Sequence, residues 1–102
     1  MTINTARSDD RSEPRQNVLH RTRISAAGGV RPVTLVNISP RGLMARTGDT
    51  FAAGERVTVE LPGLGSVGAE VRWALGGRIG CQLDQTIGMT HYHHLLQTLQ
   101  RA

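Results

Sequence analysis

Two arginines and a short polar turn carry the chemistry in this sequence. Arg11 and Arg15 stand four residues apart, and Asn37-Ile38-Ser39-Pro40-Arg41-Gly42 begins 22 residues after Arg15. A pair of guanidiniums can clamp a phosphate, or the O6/N7 edge of guanine, through two parallel N–H donors. Asn37 and Ser39 are two apart, so on extended backbone both side chains leave the same face. Pro40 has no N–H and ends strand pairing. Gly42 permits a positive φ or the close approach of another group. Each feature also has a plain reading. Arginines near an N-terminus make a solvated basic tail, and Asn, Ser, Pro and Gly are the usual residues of a turn.

Other reactive residues point to less. His91 and His94 share a helix face, but no nearby carboxylate or Cys completes a metal site, so a helix surface is expected. His20 is read as structural. Cys81 alternates in phase with Ile79 and Leu83 and is expected as a buried thiol. There are no paired carboxylates in a pocket-like context, no Ser–His–Asp order and no phosphate-cradling Gly loop before a helix. The reading is therefore of a binding protein, not an enzyme, with no metal and no cofactor.

The elements that must position these residues follow from periodicity. Residues 1–10 are polar and read as a flexible tail. Residues 16–25 alternate, with Val18, His20, Thr22 and Ile24 on one face and Leu19, Arg21 and Arg23 on the other. After a turn at 26–29, residues 31–38 form the next strand, with Val33, Leu35 and Asn37 on one face and Thr34, Val36 and Ile38 on the other. A short strand covers 42–47. Residues 48–54 form a loop whose Phe51 folds back onto the core. Residues 56–61 bury Val57, Val59 and Leu61. Residues 67–75 put Ala69, Val71 and Trp73 in phase, and Gly76-Gly77 is a hairpin signal into 78–83. Tyr92, Leu95, Leu96 and Leu99 recur at helical spacing in a terminal helix, about 88–101. Six short strands with regular turns predict a mainly β fold: a six-stranded antiparallel barrel with a C-terminal helix. One domain over 11–102 suits a chain of 102 residues.

The composition limits the partners. Net charge is +4, and all 12 basic residues are arginine. That favours an anionic partner without naming it. Only Phe51, Trp73 and Tyr92 are aromatic, a poor stacking platform for single-stranded nucleic acid. The lone Cys81 excludes an internal disulfide. No stretch reads as a signal peptide or a membrane span, so a cytoplasmic protein without membrane insertion is expected.

Taken in order, Arg11-x-x-x-Arg15, a strand hairpin and Asn37-x-Ser39-x-x-Gly42 resemble the signature of PilZ domains, Arg-x-x-x-Arg with Asp/Asn-x-Ser-x-x-Gly. Ala69-x-Val71-x-Trp73, the Gly-Gly turn and Ile79-Gly80-Cys81-Gln82-Leu83 are similar to the last two strands of such domains. The resemblance implies a bacterial receptor for cyclic di-GMP. It assigns ligand binding to Arg11, Arg15, Asn37, Ser39 and Gly42. Trp73 is added either as a stacking wall or as a half-buried core residue. Asn37 stands where Asp is commoner, and Asp10 directly precedes the arginine pair. The implied mechanism is ordering of the N-terminal Arg segment on ligand binding, read by an unidentified protein effector of motility, secretion or exopolysaccharide machinery. Two alternatives remain: a PilZ-like interaction module that binds no nucleotide, and a small basic barrel for single-stranded nucleic acid.

Overall fold

The computed structural model describes residues 15–100; the expected tail and Arg11 lie outside them. Within that range the chain forms β1 (Gln16–Ala26), β2 (Gly29–Ser39), β3 (Gly42–Arg46), β4 (Arg56–Leu61), β5 (Gly65–Leu75), β6 (Arg78–Leu83) and α1 (Met89–Gln100). The strands close into an antiparallel barrel in the order β1-β2-β3-β6-β5-β4. This is the expected fold, with strand ends displaced by one or two residues.

Alternation builds the core. Val33 and Leu35 of β2, Leu43 and Ala45 of β3, and Val57, Val59 and Leu61 of β4 are all buried. So are Ala69 and Val71 of β5 and Ile79, Cys81 and Leu83 of β6. Branched and small aliphatic side chains fill the narrow interior. The 47–55 connection carries the chain across the barrel, so that β4 can pair with both β1 and β5. The β1–β4 seam has only two paired positions, Ile24 with Val59 and Ser25 with Thr58. The Thr22 hydroxyl extends it by donating to the Glu60 carbonyl at 2.6 Å.

The two barrel ends are closed differently. Phe51 folds back and is buried, as expected, beneath the Arg31 guanidinium, which lies 4.9 Å from the ring centroid. Arg31 also donates to the Thr50 carbonyl at 2.9 Å. At the other end α1 buries Tyr92, Leu95 and Leu99, and the Tyr92 hydroxyl donates to the Ile38 carbonyl at 3.0 Å. The helix is thereby fixed to the strand that leads into the polar turn.

Two face assignments are corrected. Trp73 does not share the inward face of Ala69 and Val71, because the β5–β6 register shifts between Val71 and Trp73 and turns the indole to the outer wall. Asn37 does not continue the inward face of Val33 and Leu35. The β2–β3 register shifts between Leu35 and Asn37, so that Leu35 pairs with Ala45 and Asn37 with Met44. The extra residue, Val36, is a β-bulge, and a bulge reverses which side chains face the core. Ile38 therefore points inward and is fully buried, while Asn37 shares the outward row with half-buried Met44.

Candidate functional site

The turn that joins β2 to β3 consists of Pro40 and Arg41, since Ser39 pairs with Gly42. Neither turn residue takes a positive φ, so the loop is not one of the primed hairpin turns that strand twist favours. Contacts from outside hold it. The Leu83 amide donates to the Arg41 carbonyl and the Ile87 amide to the Pro40 carbonyl, both at 2.8 Å. The turn is pinned by β6 and by the connection into α1, and it presents a rigid rim.

Ser39 and Gly42 are absorbed into that rim. Ser39 is 4% exposed. Its hydroxyl lies 3.4 Å from both the Gly42 carbonyl and the Arg41 amide, donating to the first and accepting from the second. A short polar side chain satisfying the turn backbone is the usual work of Ser here. Gly42 has a different reason to be glycine. A Cβ there would stand 2.8 Å from the Cys81 carbonyl oxygen on β6. The absent side chain makes room for the neighbouring strand.

Asn37 is the polar side chain that the rim offers outward. Its Oδ1 accepts from Arg15 Nη1 at 3.1 Å. Its Nδ2 lies 3.7 Å from the Met44 sulfur. The amide is thus oriented, oxygen toward the arginine and nitrogen toward the thioether. Arg15, one residue before β1, and Asn37, near the end of β2, meet across 22 residues of sequence. The structure brings these two expected site residues together; Arg11 lies outside the described residues.

Trp73 belongs to the same wall. Pairing runs Asn37 to Met44, Met44 to Gly80 and Gly80 to Trp73, one transverse row over four adjacent strands. A side chain at Gly80 would fall inside the Trp73 indole, so the ring lies over the bare glycine backbone. Trp73 is 39% exposed, so its ring is partly covered and partly open to solvent. The row offers an amide, a thioether and an indole, in that order, with Gly80 buried beneath the indole. Flat, partly apolar surfaces of this kind accept an aromatic ring face. Met44 and Gly80 were not among the expected site residues. Both were within reach of counting: two-residue turns at Pro40-Arg41 and Gly76-Gly77 put Asn37 opposite Met44 and Trp73 opposite Gly80. The β3–β6 pairing that joins the halves is long-range and has no local signal.

A cleft of about 410 Å³ lies between the β4–β5 turn and the connection into α1, lined by residues including Leu64, Val67, Leu83, Asp84, Ile87 and His91. Asp84 is ion-paired with Arg56, which holds its carboxyl below the usual carboxylate value. His91, His93 and His94 are exposed on α1. Among the described residues no group of three or more His, Cys, Asp or Glu could hold a metal ion. Cys81 is a free, buried thiol, and burial pushes its pKa up to about 11, away from nucleophile chemistry. No helix among the described residues is long and apolar enough to cross a membrane.

Comparison with known proteins gives the family. The family model described as PilZ domain matches residues 9–101, nearly the whole chain. No curated protein matches it.

Proposed function

Because the chain belongs to the PilZ domain family, a family of cyclic di-GMP receptors and not of enzymes, we propose that it binds cyclic di-GMP on the outer wall at Asn37. The observation that carries this reading is the 3.1 Å hydrogen bond from Arg15 to Asn37, which unites the two halves of the family signature in space. Asn37 and Arg15 then meet guanine edges and phosphate oxygens. Trp73 supplies a ring face at the far end of the row. The pinned Pro40-Arg41 turn is the fixed half of the site. Arg15 already rests on that half, and the segment that carries Arg11 is the part that ligand draws onto it, with the Arg11 guanidinium as second clamp. Ser39 and Gly42 support the site by shaping the turn and its packing on β6.

The signal follows from differential affinity. A ligand that holds the Arg segment against the rim stabilises that arrangement by as much as it prefers it. The altered surface is then read by a protein effector.

Calorimetric titration with cyclic di-GMP tests the reading. Saturable heat at micromolar protein is expected, together with amide shifts at residues 15, 37, 44, 73 and 80. Arg15→Ala and Asn37→Ala each lower affinity about tenfold or more, since hydrogen bonds to charged groups are involved. Absence of heat with the wild-type protein, or unchanged affinity for Arg15→Ala, defeats it.

A further inference from the structure

One pleat step from the Asn37–Trp73 row lies a second outward row. Thr34 pairs with Arg21 on β1 and with Arg46 on β3; Arg46 pairs with Arg78 on β6; Arg78 pairs with Leu75 on β5. Arg21, Arg46 and Arg78 are exposed, and Leu75 is 80% exposed. Arg46 and Arg78 are directly opposite one another, a placement that like charges disfavour. Among the described residues neither guanidinium has an ion-pair or hydrogen-bonding partner. The five strands β1, β2, β3, β5 and β6 contain six arginines and a single carboxylate, Glu70. Glu70 sits in the row on the opposite side of Trp73, paired with Gln82 on β6 and with Arg56 on β4. Nothing within the described wall neutralises the Arg46–Arg78 pair.

We propose that Arg46 and Arg78, with Arg21 beyond Thr34, form a phosphate-binding row that holds a phosphate of the cyclic dinucleotide seated on the Asn37–Met44–Gly80–Trp73 row. This rests on the reading given under Proposed function. Continuity decides for the nucleotide over a separate anionic partner. Two residues along a strand advance about 6.7 Å, within reach of an extended Arg side chain. A ligand lying flat on Met44 and the Trp73 indole, which covers Gly80, thus has its phosphate edge beside two guanidiniums. Arg presents the planar fork that phosphate oxygens accept from in pairs. The ligand's charge also relieves the repulsion between the two arginines, so the cost of placing them together in the free protein is recovered on binding. Leu75, exposed at the end of the row, marks where the basic surface stops.

Arg46→Gln, Arg78→Gln and the double variant test this, with Arg23→Gln as a control. Arg23 is an exposed arginine on β1 that pairs with Pro32, one pleat step further from Asn37. Cyclic di-GMP is titrated by calorimetry at about 50 and 200 mM salt, and melting temperatures are read without ligand. The double variant is expected to bind about tenfold or more weakly, with a flatter salt dependence, and to melt at or above the wild-type temperature. Arg23→Gln is expected to stay within about twofold of wild type. If the double variant binds like wild type while Arg15→Ala loses affinity, the phosphate row is wrong and the receptor reading stands. An equal loss in Arg23→Gln also overturns it, since net charge then explains the effect. The same follows if the double variant keeps the dinucleotide but loses a single-stranded oligonucleotide that wild type binds; the row then serves a polymer. Silence of the wild-type protein toward cyclic di-GMP overturns both proposals.

Discussion

Gly42→Ala separates two reasons for a glycine at this point of the signature. If the glycine leaves space for a ligand, an added methyl costs affinity and leaves the free protein alone. The structure places the crowding elsewhere. The new Cβ would stand 2.8 Å from the Cys81 carbonyl oxygen, short of the roughly 3.4 Å at which ordinary contact begins. The obstacle is backbone, so no rotamer change removes it. The backbone on both sides is also held. Leu43 pairs with Cys81 and Gly42 with Gln82, and the Leu83 amide donates to the Arg41 carbonyl.

Overpacking a site that cannot relax costs about 1–3 kcal/mol. Alanine also restricts the unfolded chain, which returns about 0.4–1 kcal/mol. With mid-range values the net is a loss of roughly 1.3 kcal/mol, or about 5–10 °C in melting temperature for a domain of this size. Thermal unfolding followed by circular dichroism without ligand reads this directly. Gly48→Ala is the matched control, since a Cβ there meets nothing within 4 Å. It should melt at or slightly above the wild-type temperature. An unchanged melting temperature for Gly42→Ala, with affinity for cyclic di-GMP lost, would refute the strand-packing account and return Gly42 to the ligand.

Three further outcomes follow from the same geometry. Gly80→Ala displaces a side chain rather than backbone, so it should cost less stability than Gly42→Ala while shifting the emission of Trp73, the only tryptophan; an unmoved spectrum would mean that the indole does not lie over Gly80. Tyr92→Phe removes the 3.0 Å hydrogen bond to the Ile38 carbonyl and should lower stability by about 1 kcal/mol in urea unfolding, and an unchanged midpoint would contradict it. The Arg56 partner lowers the Asp84 pKa, so that pair's contribution is present above the unfolded carboxylate value, about 3.9, and fades as pH falls through the lower folded value. Both side chains are well exposed, at 63% and 42%, so the effect is small. Asp84→Asn should flatten the melting temperature against pH below about 4, and a parallel curve would count against the pair.

The barrel was legible because its strands alternate and its turns are marked by glycine. Gly76-Gly77 and the Pro62–Gly65 stretch set two hairpins, and Tyr92, Leu95 and Leu99 set the buried face of α1. Face assignment failed at two places, after Leu35 in β2 and after Val71 in β5, where a register shift turns Trp73 outward. Strict alternation sends Asn37 inward with Leu35, and no local residue announces the bulge at Val36. The Ile38 side chain decides it: bulging by one residue buries isoleucine and exposes asparagine, which gains apolar burial and avoids an unsatisfied amide. The β3–β6 pairing was illegible for another reason. It joins strands separated by a crossover, and crossover register is set by the whole core.

The bulge is also what makes a site there possible. Without it, Asn37 would share the inner face with Val33 and Leu35, out of reach of both Arg15 and the wall. With it, the amide emerges at the one edge of the wall where the turn beyond is fixed by Pro40 and Arg41 carbonyl bonds. From that edge the row runs over Met44 and Gly80 to Trp73, with no charged side chain in it. The charges flank it: Arg15 at the Asn37 end, Arg46 and Arg78 one pleat step to one side, and Glu70 to the other. A neutral, partly aromatic strip bordered by guanidiniums matches a ligand whose flat bases and ionised phosphates are separate parts of one ring. Asn37 suits the strip because it is neutral. An aspartate there would pair more strongly with Arg15 but would set a carboxylate oxygen against the Met44 sulfur and a negative charge beside the phosphates.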